Sequence, residues 1–219
     1  GDRIAAHLWA AQRTQNSKGN LIMKKQTAAM LGVCGLAAAA SAQNFSLTLV
    51  PSVQTIDTSA GAVTITMSVI GDADVGTHML DGAFSMHSNS QLVQDMAWSP
   101  ASWSQFNTDG GYAGNGDYNQ IAYGQLWPIG GIFPPPPNSA LGMTIGTFEI
   151  TLAGTGEVEF NLLEGTPFTL ETIDEFNGVI YTDTDGTLTL QGASITLVPA
   201  PTGIASLLIC GLLSARRTR

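Results

Sequence analysis

Six Trp and Tyr residues fall together in one irregular stretch, 97–142: Trp98, Trp103, Tyr112, Tyr118, Tyr123 and Trp127. Flat rings with polar edges are what pyranose rings stack on. Trp98, Trp103, Tyr112, Tyr118 and Trp127 are therefore candidate glycan-stacking residues of a carbohydrate-binding loop, with extracellular polysaccharide as the ligand. The same rings would also anchor a long loop, which needs apolar contacts of its own to be ordered. No spacing within 97–142 identifies a sugar site, so packing is the preferred reading.

Acidic turns come next. Asp72 with Asp74, the run from Asp109 to Asn119, and Asp183 with Asp185 ahead of Gly186 offer hard oxygen atoms of the kind calcium takes. None forms an EF-hand loop: Tyr181 stands where the last run needs its first ligand, and Gly192 where the bidentate Glu belongs. Asp and Asn form turns unaided, so solvated turns are preferred, calcium is the one cofactor kept open, and no metal ligand is assigned. His78 and His87 have neither a neighbouring Cys nor the H-x-x-x-H spacing of a zinc site. Carboxylate pairs like those of glycoside hydrolases can be drawn freely among so many acids, which empties that signal of meaning. No G-x-S-x-G elbow, phosphate loop or dinucleotide fingerprint occurs. The expectation is a protein that is not an enzyme.

Charge narrows the field further. All 8 Lys and Arg residues lie in the two ends of the chain, and none stands between Gln43 and Ala215. Every acid but Asp2, 16 of the 17, lies between Gln43 and Val198, so that segment carries a formal charge of −16 where the whole chain has −9. Such a surface cannot release counterions from a phosphate backbone, which excludes nucleic acid as a partner. No internal salt bridge is expected, and self-repulsion of this size is best tolerated in saline extracellular surroundings. Cys34 and Cys210 both lie outside the acidic segment, so no disulfide can staple it.

The elements that must position these residues read as strands. Phe45, Leu47 and Leu49 alternate with polar neighbours; so do Val63, Ile65, Met67 and Val69; Phe148, Ile150 and Leu152; Val158, Phe160 and Leu162; and Leu188 and Leu190. Period two with one apolar face means half-buried strands. Gly61, Gly71, Gly154, Gly165, Gly178 and Gly186 punctuate them as turns. With no helical segments between, the expected class is all-β: a single antiparallel β-sandwich over 43–198, of jelly-roll or immunoglobulin-like type. The opening LTLVPSVQTIDTSAGAVTITMSVIG at 47–71, where Pro51 breaks a strand and a Gly turn precedes a long alternating one, resembles the first hairpin of cohesin-like sandwiches on bacterial surface proteins. That resemblance implies the fold and assigns no binding residue.

The two ends read as processing signals. Residues 1–22 precede Met23 and read as an upstream extension. From Met23 the chain shows a basic start at Lys24 and Lys25, an apolar helical stretch to Ala40, and the small-residue spacing of Ala40 and Ala42. These are the parts of a secretory signal, 23–42, cut by signal peptidase before Gln43. At the other end, 199–219, Pro199 and Pro201 break regular structure ahead of an uncharged helical segment from Gly203 to Ala215, about 20 Å long at 1.5 Å per residue. That is short for a hydrocarbon layer of about 30 Å, and is expected to serve as a short C-terminal transmembrane helix. Arg216, Arg217 and Arg219 follow as a positive-inside stop. The order of Pro motif, apolar helix and Arg cluster resembles the PEP-CTERM sorting signal of exported bacterial proteins, with Ala200 where that family's motif has Glu. The resemblance implies an exosortase-like sorting enzyme as partner, transient membrane anchoring through the tail, and a place at the cell envelope or in extracellular matrix. The leading reading is thus an exported surface or matrix protein, structural or adhesive. A carbohydrate-binding module using 97–142 is the alternative, and a secreted glycoside hydrolase stands third.

Overall fold

A computed structural model of the chain describes residues 43–88, 90–126 and 135–199. Fourteen strands follow one another: β1 (Asn44–Pro51), β2 (Thr55–Asp57), β3 (Val63–Ala73), β4 (His78–His87), β5 (Val93–Pro100), β6 (Phe106–Asp109), β7 (Tyr112–Gly114), β8 (Asp117–Gly124), β9 (Thr144–Leu152), β10 (Gly156–Glu164), β11 (Glu171–Ile173), β12 (Ile180–Thr182), β13 (Thr187–Gln191) and β14 (Ala193–Val198). A 3-10 turn, Asp183–Asp185, joins β12 to β13. The alternating residues do what their period requires. Phe45, Leu47 and Leu49 of β1 and Ile65, Met67 and Val69 of β3 turn inward, as do Phe148, Ile150 and Leu152 of β9 and Val158, Phe160 and Leu162 of β10.

These strands form an all-β sandwich. One sheet runs β13-β1-β3-β9-β5; the other runs β12-β11-β4-β10-β14-β2, with β8 on the free side of β4 and with β6 and β7 beyond β8. The inward residues of both sheets make one continuous core, from Phe45 through Phe84 and Phe148 to Ile195. Two strand pairs depart from the antiparallel expectation: β1 with β13 and β14 with β2 are parallel. The reason lies at the corners. Past Pro51 the chain leaves the first sheet for β2 in the second, and at Gly192 it passes straight from β13 to β14, again changing sheet. Two long runs that cross between sheets side by side in the same direction must pair in parallel. Gly192 is needed there, since a Cβ would stand 2.3 Å from the Phe160 carbonyl oxygen.

Two further expectations are corrected. Gly71 is not a turn; it lies inside β3, where it leaves room for Ile145 and Met79, each with an atom 2.8 Å from where its Cβ would be. The stretch 97–142 is not one irregular loop either, because it holds the end of β5 and all of β6, β7 and β8. Its alternation is obscured by Gly and Asn at bends, where Gly111, Gly114, Asn115 and Gly116 all take positive φ. The acidic segment also contains one close charge-type contact, His87 Nδ1 to Asp117 Oδ1 at 2.8 Å, which the Lys/Arg census could not reveal. Among the described residues no helix is long and apolar enough to cross a membrane. The signal segment with Ala40 and Ala42, the apolar tail, and Ala200, Pro201, Arg216, Arg217 and Arg219 lie outside the described residues.

Candidate functional site

Of the candidate stacking residues, the sandwich uses most as core. Trp98, Trp103 and Tyr118 are buried, Tyr112 is half-buried, and Trp127 lies outside the described residues. Trp98 on β5 meets Phe148 of the adjacent β9, centroids 4.7 Å apart, and Phe84 of the opposite sheet edge-on at 5.5 Å. Trp103 stands edge-on to Tyr123 at 6.1 Å and donates its indole N–H to the Thr144 carbonyl at 2.9 Å. Tyr118 packs on Phe148 at 5.1 Å while its hydroxyl donates to Asp109 Oδ1 at 2.8 Å. Burial, then the Asp109 carboxylate, push the Tyr118 phenol up to about 12. Tyr112 gives its hydroxyl to the Val93 carbonyl at 2.9 Å. The stacking assignment is therefore corrected for Trp98, Trp103 and Tyr118, whose faces are covered by other rings and closed to a sugar.

The acidic turns are likewise engaged by the chain itself. Asp74 accepts from Asn44 N–H at 2.8 Å and from its amide at 2.7 Å, contacts that hold its carboxyl below the ordinary carboxylate range. Asp72 caps the Ala73 N–H, and Asp109 takes the Gly111 N–H besides the Tyr118 hydroxyl. Asp183 is buried and accepts the Thr169 N–H at 2.9 Å. Among the described residues no group of three or more His, Cys, Asp or Glu is placed to hold a metal ion.

What sequence reasoning did not find lies on the outer face of the second sheet. Register fixes a row across four adjacent strands: Glu171 on β11 opposite Asp81 on β4, Asp81 opposite Gly124 on β8, and Gly124 opposite Phe106 on β6. Directly paired residues share a face, so these side chains point the same way. At Gly124 the row has no side chain; a Cβ there would stand 2.7 Å from that of Asp81. The gap opens a groove of about 570 Å³, lined by Asp81, Phe106, Thr108, Gly124, Gln125 and Leu126 among others. Phe106 is 54% exposed and Leu126 67%, so one wall is apolar and open while the other is acidic.

Asp81 lines the groove, and Glu171 stands on the next strand beyond it. Asp81 and Glu171 stand opposite one another on paired strands, close enough for each to bear on the other's ionisation. Partial burial, reinforced by the neighbouring Asp81, pushes Glu171 up to about 7, and burial raises Asp81 as well. Asp81 Oδ1 is shut from water and meets no N–H or O–H donor of the chain, and the same is true of Oε1 of Gln125. Gln125, only 5% exposed, spends its amide N–H on the Met79 carbonyl. These two acceptors lie beneath the groove surface, beside the exposed Phe106 ring. The signal that could have exposed the site is Asp81 itself, an acid inside the run HMLDGAFSMH that is otherwise largely buried.

No protein-family model matches the chain, and no curated protein matches it by sequence. Solved structures similar in fold include several cohesins. The seventh ScaB type I cohesin from Pseudobacteroides cellulosolvens is 9% identical with a TM-score of 0.44, over 73% of this chain and 95% of that one. A type II cohesin domain from the cellulosome of Acetivibrio cellulolyticus is 10% identical with a TM-score of 0.42, over 69% and 95%. The cohesin module of a Clostridium perfringens family 33 glycoside hydrolase is 8% identical with a TM-score of 0.40, over 72% and 98%. At these values no residue of this chain acquires a role from them.

Proposed function

We propose that the chain is an exported protein whose β-sandwich serves at the cell surface or in extracellular matrix as a structural or adhesive module, sorted through a PEP-CTERM-like tail. The observation that carries this reading is the segregation of charge: every Lys and Arg lies in the end segments, around apolar runs of the signal and tail type, and 43–198 has none. The fold supports it. β1 begins at Asn44, two residues beyond Ala42, and Gln43 already contributes its carbonyl to the Thr187 N–H at 2.7 Å. Cleavage before Gln43 would leave every strand intact. At the other end β14 closes at Val198, directly before the Pro motif. Signal peptidase and an exosortase-like enzyme are the partners this route requires.

The test is mass spectrometry of the native termini combined with fractionation of the producing cells. A first residue of Gln43 on protein recovered from the envelope or medium is the expected result. Protein retained in the cytoplasm with residues upstream of Met23 still attached would overturn it.

A further inference from the structure

We propose that the hairpin of β11 and β12 is a docking edge for an extended, basic segment of a partner protein, which joins the second sheet as a strand beyond β12. The assignment rests on the adhesive-module reading above, and names its surface and partner chemistry. β12 is an end strand of its sheet. The Asp174 N–H bonds to the Val179 carbonyl at 2.9 Å and the Asp183 N–H to that of Leu170 at 3.2 Å. Thr172 and Tyr181, midway between in the same register, are therefore the hydrogen-bonded pair of the ladder. Ile180, one residue off, turns its N–H and C=O away from β11 to the free edge, and it is 51% exposed.

Three observations favour this occupant. Phe176, at the tip of the same hairpin, is 85% exposed, yet the loop beneath it is fixed. Its N–H bonds to Asp174 Oδ1 and that of Val179 to Asn177 Oδ1, each at 2.8 Å; the Gly178 N–H reaches the Asp174 carbonyl at 2.8 Å and the Glu175 N–H reaches Thr77 Oγ1 at 2.9 Å. A ring held in solvent by so rigid a turn loses little freedom when a partner covers it. The second observation is a contrast of edges. On β5, an end strand of the first sheet, the Trp98 N–H bonds to the Tyr118 hydroxyl at 3.2 Å, the Met96 N–H to Asp95 Oδ1 at 2.9 Å, and the Val93 carbonyl accepts from Tyr112. Groups spent in this way cannot template another strand, whereas the open, apolar edge at Ile180 can. Charge supplies the third. Glu171, Asp174, Glu175 and Asp185 flank the edge, and 43–198 has no Lys or Arg to answer them. A basic segment complements that field, while a second copy of the chain would bring like charge to it. Main-chain bonds to Ile180 provide the pairing, apolar residues of the added strand cover Ile180 and Phe176, and its Lys or Arg residues meet the acids.

Amide NMR titration of the full chain in detergent tests this, with three acetylated octapeptides as probes: alternating Lys-Val, alternating Glu-Val, and the Lys-Val peptide with proline at its central valines. The Lys-Val peptide should give saturable shifts at Phe176 and at Val179 to Thr182, slow hydrogen exchange at the Ile180 amide at least about tenfold, and bind more weakly as salt is added. Ile180→Pro, which removes the outward N–H, should weaken it at least about tenfold and Phe176→Ser at least about threefold. Phe176 is exposed, so its variant keeps the question answerable if Ile180→Pro fails to fold. Absence of saturable shifts at these residues, binding by both variants equal to the parent's, or equal binding of the Glu-Val or proline peptide would overturn the assignment. So would concentration-dependent shifts of the same residues without peptide, since a second copy would then hold the edge. Export is judged separately by the termini, so either reading can fail without the other.

Discussion

β4 and β8 carry two unlike regions on opposite faces. Inward, Phe84 of β4 and Tyr118 and Tyr123 of β8 join Trp98, Trp103 and Phe148 in an aromatic core. Outward, the same two strands present Asp81 and bare Gly124, the middle of the acidic groove. One residue step along a strand separates them: Tyr123 is buried with its hydroxyl donating to the Thr169 carbonyl at 2.8 Å, and Gly124 is the floor of the open slot. On the inner face Trp103 and Tyr123 give their polar edges to backbone carbonyls and Tyr118 gives its own to Asp109, while the Trp98 indole N–H has no acceptor; the outer face leaves Phe106 and Leu126 uncovered. Side-chain type alone suggested binding for the aromatics, whereas period two decides which face each one serves.

The comparison predicts the largest effects inside. Phe148 is wholly buried against Trp98, Tyr118 and Phe84. Phe148→Ala should cost about 3–5 kcal/mol of stability, read from chemical denaturation. A cost below about 1 kcal/mol would mean the rings do not form the core described. Next is Gly146, on which Trp98 lies: a Cβ would stand 2.3 Å from the indole Cζ2 and 2.7 Å from the Ser99 carbonyl oxygen. Gly146→Ala should destabilise by about 1–3 kcal/mol and shift tryptophan fluorescence, since the indole must move.

How far the sequence reaches follows the same division. Strands with one wet face, such as β1, β3, β9 and β10, show their period in the residues themselves. β4 does not, because Leu80 and Ala83 on its other face are buried too, which erases the alternation. β6, β7 and β8 hide behind bends at Asn115 and the glycines around it. The groove was the least legible part. It depends on register between β11, β4, β8 and β6, which places Glu171 beside Asp81 across 90 residues of chain. No local spacing encodes that juxtaposition.

A third test turns to the outer face. Burial and the neighbouring Asp81 raise Glu171 to about 7 in the native protein, while an unfolded Glu releases its proton near 4.5. Between those values the native state holds the extra proton. The pair's stabilising contribution is therefore complete below about pH 4.5 and is lost as pH rises through about 7. Both groups are partly open to water, which keeps the effect small. Glu171→Gln should hold its Tm more nearly constant than the parent between about pH 4.5 and pH 7, by a few degrees at most. Identical slopes would show that Glu171 is not raised in the native protein.

The smallest effect belongs to Phe106, and it separates the two faces most sharply. All four residues of β6 are exposed, and Phe106 stands on the rim of the groove where its ring fills no cavity. Phe106→Ala should change stability by no more than about 0.5 kcal/mol, the range of surface substitutions that touch no core contact. An aromatic kept in solvent contributes little to folding, so whatever this ring does must appear when something covers it. If Phe106→Ala instead destabilised the fold as Phe148→Ala does, the outer wall would be core under another name, and the contrast between the faces would disappear.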